Sequence, residues 1–287
     1  MMAKILLGDP VVTLLQAKTD EIIKKHIISW YLAIFMLGES HPWTVYVRKK
    51  TEYAQTLWLT TKIFSDIESV EKDIENCNTD NNCLWIIIQL PLPKELESKK
   101  RFLLDLVHPA KDPDCLWTKL LDQSTLYGWH IDIAPATPSA VMHLLHHYHF
   151  EHAINGFQIA ILWESDLIWS PLAKILANYG WYVHTFNDKS NQKRMREICK
   201  ESDIIIATTW KLHLVDDTFI RADQSQVIID VGRGKLNNKT TWDVNYELVI
   251  DKVSAITPVP GGVGPITVAS LFWNVVRLYE QREKITV

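Results

Sequence analysis

The chain has 287 residues, with 30 lysines and arginines against 34 aspartates and glutamates, so its formal net charge is −4. Hydrophobic residues make up 47% and charged residues 22%, which is typical of a folded protein and excludes a disordered one. The balanced charge excludes a basic nucleic-acid-binding surface, and the longest apolar run, residues 30–37, is shorter than the roughly 20 residues that cross a bilayer.

The first half of the chain alternates between helical and strand patterns. Apolar residues at helical spacing predict a helix over residues 11–28, and a continuous apolar run predicts a strand over 31–37. A helix over about 44–60 and a strand over 85–90 follow, and this strand ends at Pro91 because proline cannot donate to a ladder. The alternation predicts a parallel sheet covered on both faces.

The pattern starts again in the second half. Thr137 and Pro138 predict the cap and first turn of a helix that ends near residue 149. Apolar runs then predict strands over 158–162, 181–185, 204–207 and 227–231, with helices over 171–179 and 191–201, and a final helix over 267–283. The length and this repetition predict two domains, the second of the dinucleotide-binding kind.

Three polar residues of the first half are candidates for catalysis. Tyr46 and Lys50 stand four apart on a predicted helix, so their side chains project from one face. A phenol beside an ammonium can lower the pKa of the lysine and supply a proton donor and acceptor together, although a solvated basic face with Arg48 and Lys49 is the alternative. Gln89 ends an aliphatic strand, which indicates either a site residue or a polar residue at an exposed strand end.

Carboxylates and histidines elsewhere have plain alternatives to a functional role. Asp112 and Asp114 lie in a loop broken by prolines, where carboxylates are usually solvated or capping. Four histidines lie near the end of one predicted helix: His146, His147, His149 and His152. No matching set of ligands accompanies them elsewhere in the sequence, so we predict a solvated helix end and no metal site.

Residues 258–265 form a segment in which three glycines are flanked by prolines. Gly261, Gly262 and Gly264 allow a backbone to come close to a ligand, and the prolines stiffen it on either side. Glycine is scarce in this chain, at 10 of 287 residues, so the cluster predicts a shaped loop. The four cysteines form no CxxC pair and predict reduced thiols in a cytoplasmic protein.

Six strings of the sequence together resemble one family, the bifunctional methylenetetrahydrofolate dehydrogenase/methenyltetrahydrofolate cyclohydrolases. They lie at residues 46–50, 89–93, 111–114, 135–138, 230–232 and 257–265, so the resemblance covers nearly the whole chain. It implies an α/β fold with two three-layer domains separated by a cleft. Residues 1–136 and a returning helix, 266–287, would form the catalytic folate-binding domain, and residues 137–265 a Rossmann-type NAD(P)-binding domain.

The resemblance also implies roles for particular residues. Lys50 would be the central catalytic residue, tuned by Tyr46 and Gln89, and Asp114 would hold the pterin ring. Further substrate contacts would come from Leu90, Pro260, Gly261, Gly262, Val263 and Gly264. The implied reactions are oxidation of 5,10-methylenetetrahydrofolate with NADP and hydrolysis of the product to 10-formyltetrahydrofolate. They would belong to one-carbon metabolism and purine biosynthesis, in a cytoplasmic homodimer that binds neither nucleic acid nor membrane.

The expected phosphate loop departs from the family pattern. Where the family has a sequence like Gly-Arg-Ser-x-x-Val-Gly-x-Pro, this chain has tryptophan at both glycine positions, Trp163 and Trp169. Glycine lets such a loop approach a pyrophosphate, and an indole should fill that space.

Tryptophan stands at six positions where the resemblance expects glycine: Trp58, Trp85, Trp163, Trp169, Trp210 and Trp242. This pattern accounts for a composition of 12 tryptophans beside 10 glycines. Our hypothesis is that the source organism reads the UGA codon as glycine and that the written translation shows tryptophan. UGG codons at these positions in the gene would contradict it.

The resemblance assigns the cofactor contacts to six residues: Trp163, Glu164, Ser165, Lys189, Ser190 and Arg233. Lys189 could pair with the 2′-phosphate of NADP, whereas Asp188 would repel that phosphate and favour NAD. We expect NADP, with NAD as the alternative. Arg233 falls where the family usually has an aliphatic residue beside the nicotinamide.

Two other functions stay open if the tryptophans are real. The chain would then be a cyclohydrolase without dehydrogenase activity, or a folate-binding pseudoenzyme. Retention of the tyrosine, lysine, glutamine and aspartate favours an enzyme, because a pseudoenzyme has no need of all four.

Overall fold

The computed structural model describes residues 2–26, 30–38, 41–118, 133–150, 156–163, 166–209, 211–232, 234–236 and 239–283. For residues 41–46, 163, 166–169, 234–236 and 239–241 it describes the backbone alone.

Helices and strands alternate through most of the chain. The strands are β1 (Lys4–Ile5), β2 (Tyr31–Phe35), β3 (Thr60–Phe64), β4 (Cys83–Ile88), β5 (Gln158–Trp163), β6 (Tyr182–Phe186), β7 (Ile204–Thr208), β8 (Val227–Asp230), β9 (Gly234–Leu236), β10 (Lys239–Thr241) and β11 (Ala255–Ile256). The α-helices are α1 (Asp9–His26), α2 (His41–Thr56), α3 (Val70–Thr79), α4 (Lys94–Glu97), α5 (Lys100–Leu106), α6 (Ala136–His147), α7 (Asp166–Asn178), α8 (Gln192–Glu201), α9 (Tyr246–Val249) and α10 (Val263–Arg282).

The chain forms two compact units, named here by their parallel sheets. Among the described residues, the three-stranded unit comprises those in 14–118, 133–136 and 268–283, and the six-stranded unit comprises those in 2–13 and 137–267. The predicted first domain began at residue 1, whereas β1 pairs with β11 and so completes the sheet of the six-stranded unit.

The three-stranded sheet has the order β3-β2-β4, with all pairs parallel. Every residue of β2 and β4 is buried, as expected of apolar runs covered on both faces. Trp85 belongs to this core, where its indole is fully buried. β3 was not predicted, since it mixes threonine, lysine and isoleucine and leaves most of its side chains exposed.

The six-stranded sheet has the order β1-β11-β8-β7-β5-β6 and is parallel throughout. β8 and β7 lie at its centre, and all residues of both strands are buried. Helix α8 begins at Asn191, whose side chain accepts a hydrogen bond from the amide of Arg194. The predicted parallel α/β fold of this half of the chain is confirmed.

Several predicted helix boundaries were wrong. Helix α6 begins at Ala136, so Thr137, the predicted cap, lies inside it, and helix α1 begins at Asp9 rather than at residue 11. Helix α7 begins at Asp166 rather than at residue 171, so Pro171 lies inside it. Helix α10 begins at Val263 rather than at 267, because Pro265 fits the first turn, where its missing N–H has no partner to lose. Helix α2 ends at Thr56 rather than near 60.

The end of α2 is a Schellman motif centred on Trp58. The amide of Leu59 bonds to the carbonyl of Ala54 at 3.0 Å, and the amide of Trp58 bonds to Gln55 at 3.1 Å. Trp58 has a φ of 60°, the left-handed conformation that glycine usually adopts at this position, and its indole is 81% exposed. The backbone therefore agrees with the expectation of glycine here.

Candidate active site

Helix α2 carries the first of the predicted catalytic residues. The ammonium nitrogen of Lys50 lies 3.8 Å from Oδ2 of Asp114, and the two side chains are only 12% and 17% exposed. The structure thus brings together two predicted site residues that are far apart in the chain. Tyr46 lies one helical turn before Lys50, but its side chain is outside the described atoms.

Gln89 lies at the carboxyl end of β4, as predicted. Its amide N–H bonds to the carbonyl of Phe35 at 2.9 Å, so it extends the ladder by one residue. The side-chain Nε2 donates to the carbonyl of Leu90 at 2.8 Å. Its Oε1 is buried and accepts no hydrogen bond from the described residues, which leaves an acceptor for a substrate or a water molecule.

The loop before and after Asp114 contains a second, more deeply buried carboxylate. Asp112 is 4% exposed and accepts hydrogen bonds from the amides of Leu116 and Trp117, both at 2.8 Å. Burial, with a smaller contribution from the charge of Asp114, raises the pKa of Asp112 to about 7. The solvated alternative is therefore wrong for Asp112, which caps the following turn from inside the protein.

This loop is fastened to the end of helix α3. The ammonium of Lys111 donates to the carbonyls of Cys77 at 2.8 Å and Asp80 at 2.9 Å, and burial lowers the pKa of this lysine. Asn78 donates to the carbonyl of Leu106 and accepts from the amide of His108, each at 2.8 Å. Lysine near a helix C-terminus satisfies carbonyls that have no partner within the helix.

The glycine-rich segment lies against the start of the chain within the six-stranded unit. The amide of Gly8 bonds to the carbonyl of Gly261 at 2.7 Å, and a Cβ on Gly8 would come 2.2 Å from the carbonyl oxygen of Gly262. No residue other than glycine fits there.

The two units divide the predicted site residues between them. The six-stranded unit contains the predicted substrate residues of the glycine-rich segment, which are Pro260, Gly261, Gly262, Val263 and Gly264. The three-stranded unit contains Lys50, Gln89 and Asp114.

A small cleft opens at the carboxyl ends of β5, β6 and β7. Asp188, Lys211 and Thr209 are among the residues that line it, and the first two carry opposite charges. Lys189 and Ser190 lie in the adjoining turn, where Asn187 accepts a hydrogen bond from the amide of Lys189 at 3.0 Å. Lys211 was not predicted, because a lysine after a strand carries no distinguishing pattern.

Several predicted cofactor contacts cannot be placed. Glu164, Ser165 and Arg233 lie outside the described residues, and Trp163 is described by its backbone alone. Of the other tryptophans at expected glycine positions, Trp210 lies outside the described residues and Trp169 is described by its backbone alone. Trp163 is the last residue of β5, and Trp169 lies in helix α7. Trp242 packs its indole on the ring of Tyr246, with 4.3 Å between the ring centroids.

The end of β8 holds two buried carboxylates. Asp230 accepts a hydrogen bond from the amide of Val244 at 3.0 Å, and its pKa is raised well above the ordinary value by burial and by the charge of Asp243. Asp243 in turn accepts from the amide of Thr209. A Cβ on Gly232 would lie 1.9 Å from the carboxyl of Asp243, which explains the glycine at this point.

The described part of the chain contains no group of three histidine, cysteine or carboxylate residues that could hold a metal ion. His146 and His147 end helix α6, and His152 lies outside the described residues. No helix in the described ranges is both long and apolar enough to span a membrane.

Comparisons with known proteins agree with this arrangement. Residues 6–114 match the profile of the tetrahydrofolate dehydrogenase/cyclohydrolase catalytic domain, and residues 135–283 match that of the corresponding NAD(P)-binding domain. The "Bifunctional protein FolD" of Mycoplasma mycoides is 31% identical over 93% of this chain and 91% of its own length, and that of Clostridium beijerinckii is 34% identical over 75% and 73%. The FolD structure of Trypanosoma brucei, complexed with NADP and an inhibitor, superposes with a TM-score of 0.89 at 26% identity and covers 100% of both chains.

Proposed function

The chain belongs to the tetrahydrofolate dehydrogenase/cyclohydrolase family, and from this premise we propose both reactions of that family for it. It oxidises 5,10-methylenetetrahydrofolate to 5,10-methenyltetrahydrofolate with NADP, and it hydrolyses this product to 10-formyltetrahydrofolate. The observation that carries the proposal is the shielded pair of Lys50 and Asp114, 3.8 Å apart in the three-stranded unit.

Each polar group of this unit has a role that suits its chemistry. The carboxylate of Asp114 offers two acceptor oxygens, which match adjacent N–H groups on the pterin ring. Gln89 offers its buried Oε1 as a further acceptor. Lys50 is the catalytic residue, because its amine can accept and return a proton beside the one-carbon bridge. Tyr46 assists it from the preceding turn of the same helix.

The hydrolysis needs only water and proton transfer. Water adds to the methenyl carbon and loses a proton as the new C–O bond forms. The bond between this carbon and N5 of the folate then breaks, and the carbon remains on N10 as a formyl group. One proton ends on N5 and, in net, the other leaves for solvent; the ammonium of Lys50 can donate the proton to N5 and regain one from the added water.

The six-stranded unit suits a nicotinamide cofactor. Its cleft lies at the carboxyl ends of parallel strands, where such folds bind dinucleotides, and Lys211 and Thr209 line it. Lys189 and Ser190 in the adjoining turn, together with Lys211, would hold the 2′-phosphate of NADP. When bound, NADP supplies the acceptor for the hydride that leaves the methylene carbon. Residues 260–264 of this unit would contact the folate.

The remaining assignments rest on the family resemblance. We extend the proposal to a cytoplasmic homodimer that serves purine biosynthesis, with the three-stranded unit as the catalytic domain and the six-stranded unit as the nucleotide domain. Four free, buried cysteines are consistent with a reducing compartment. Light scattering of the purified protein tests the dimer, and a monomer at micromolar concentration would contradict it.

A cyclohydrolase without dehydrogenase activity is the second candidate. The observation that favours it is the pair Trp163 and Trp169 at positions where the family has glycine. The proposed catalytic pair lies in the other unit, so these tryptophans leave the hydrolysis chemistry intact.

Replacement of the catalytic lysine tests the proposed function. Lys50→Ala should lower the hydrolysis of 5,10-methenyltetrahydrofolate by about 100-fold or more, because it removes the proton-transferring amine. Lys49→Ala removes an exposed neighbouring lysine of the same helix and is the matched control. Turnover is followed by the absorbance of the methenyl compound and by reduction of NADP. Circular dichroism checks that both variants are folded. Equal turnover of the two folded variants would refute the role of Lys50.

A further inference from the structure

Helix α10 places one amide inside an otherwise apolar core. Asn274 is 1% exposed, and its neighbours Leu271, Phe272, Val275 and Val276 are buried hydrophobic residues of the three-stranded unit. Burial of an amide costs free energy unless its polar atoms are hydrogen-bonded. The partners of this amide therefore show which parts of the chain it holds.

The amide nitrogen of Asn274 joins two distant segments of the chain. Its Nδ2 donates to the carbonyl of Pro113 at 2.8 Å and to the carbonyl of Ala134 at 2.7 Å. The sulfur of Cys115 lies 3.7 Å from the same nitrogen. Pro113 and Cys115 flank Asp114, the residue of the proposed folate-binding carboxylate; the first contact is to the backbone just before Asp114 and the second to the side chain just after it.

Among the described residues, few other hydrogen bonds hold the turn around Asp114 on this side. Pro113 has no N–H to donate, the amide of Cys115 lies 3.3 Å from the carbonyl of Asp112, and the thiol of Cys115 lies 3.8 Å from the carbonyl of Pro113. Cys115 also adopts a left-handed φ of 56°. The carboxylate of Asp112 holds the following residues, Leu116 and Trp117. The bond from Asn274 to the carbonyl of Pro113 therefore holds the part of the turn that precedes Asp114.

We propose that Asn274 is a positioning residue for the reaction, and the inference rests on the proposed function of Asp114. By holding the carbonyl of Pro113, Asn274 fixes the Cα of Asp114 and so keeps its carboxylate beside Lys50 and directed at the folate. It touches neither substrate nor cofactor. A displacement of about 1 Å at such a group can cost about 100-fold in rate, so one hydrogen bond behind the site matters.

Comparison of two variants of the same helix isolates this role. Asn274→Leu keeps the volume of the side chain and removes both donors, whereas Val276→Ala opens a cavity in the same core without touching the turn. Both should lower the urea midpoint of unfolding. Only Asn274→Leu should raise the KM for 5,10-methenyltetrahydrofolate, by about tenfold. A KM that rises equally in both variants would overturn the proposal.

A double mutant tests whether the effect passes through Asp114. In an Asp114→Asn background, Asn274→Leu should change kcat/KM by less than about twofold, because the group that it positions is already lost. A full tenfold loss in that background would show an effect independent of Asp114 and would contradict the proposed role.

Hydrogen exchange gives a readout that does not depend on turnover. The amides of residues 114–117 should exchange faster in Asn274→Leu than in Val276→Ala, and equal exchange would overturn the proposed fastening of the turn. A wild-type protein inactive in both reactions would contradict the proposed function itself. If the wild type is active but Asn274→Leu and Val276→Ala have the same KM and the same exchange rates, only the positioning role is contradicted.

Discussion

Burial is the largest cause of the pKa shift at several side chains of this protein. Asp112 illustrates this best, because its carboxyl is buried beside the negatively charged Asp114 and accepts two amide hydrogen bonds. The bonds favour the charged form and the burial opposes it, and burial has the larger effect. The outcome is a pKa of about 7, which places the change of charge close to neutral pH.

The stability of the protein should therefore depend on pH through Asp112. The folded pKa of about 7 exceeds the value of about 3.9 in an unfolded chain, so the folded protein holds a proton that the unfolded chain releases. Stability must then fall as pH rises through this window. Asp112→Asn cannot ionise and keeps an acceptor oxygen. Its free energy of unfolding relative to wild type should increase by about 2 kcal/mol between pH ~5 and pH ~8.

Urea unfolding at the two pH values measures this difference. The exposed Asp251, replaced by asparagine, serves as the control and should show no such change. A constant difference between Asp112→Asn and wild type at both pH values would refute the raised pKa.

At the scale of elements, the end of α2 is the most informative feature. Its hydrogen bonds form a complete Schellman motif, and the apolar contact that usually accompanies one is present because Ala54 and Leu59 are both buried. Only the residue at the left-handed position, Trp58, departs from the usual chemistry. By contrast, Trp85 fills the core of the same unit, so the six tryptophans do not share one structural environment.

Replacement of Trp58 separates the effect of the backbone from that of the indole. Trp58→Gly should stabilise the protein by about 1 kcal/mol, because glycine adopts the left-handed conformation without the penalty from a Cβ. Trp58→Ala removes the exposed indole but keeps the Cβ, so it should remain less stable than Trp58→Gly by a similar amount. Equal urea midpoints for the two variants would contradict the strain that we infer at Trp58.

The hypothesis that UGA is read as glycine stays a prediction. The codons of the gene test it directly.

At the scale of the whole molecule, the two proposed reactions draw on different units. In our proposal, hydrolysis depends on Lys50, Gln89 and Asp114 in the three-stranded unit, whereas hydride transfer also needs the proposed cofactor site of the six-stranded unit. A change confined to the phosphate-loop positions should therefore affect only one of the two activities.

The double variant Trp163→Gly/Trp169→Gly tests this division. It restores the glycines that let a backbone approach a pyrophosphate, so the rate of NADP reduction should rise by about tenfold or more. Hydrolysis of 5,10-methenyltetrahydrofolate should stay within about twofold of wild type. A dehydrogenase rate that is already high in the wild type and unchanged in the variant would show that the indoles do not obstruct the cofactor.

Local patterns were enough to predict most of the secondary structure. Buried strands such as β2, β4 and β7 are continuous apolar runs, and such runs leave few alternatives to a covered parallel sheet. Strand β3 escaped prediction because an edge strand with exposed side chains has no such run. The starts of α7 and α10 were misplaced because each proline was expected at or before the start of its helix, whereas Pro171 lies inside α7 and Pro265 lies in the first turn of α10.

The candidate site divides in the same way. Its residue types were visible in short motifs, and Lys50, Gln89 and Asp114 could be named from them. The surroundings of these residues could not be predicted from such motifs, because burial and distance depend on segments that meet only on folding. The 3.8 Å between Lys50 and Asp114, the buried carboxyl of Asp112 and the bond from Asn274 to Pro113, 161 residues away in the chain, are properties of the packed unit. Local sequence encodes periodicity and turn chemistry, whereas long-range packing decides which polar groups lose water and which partners they find.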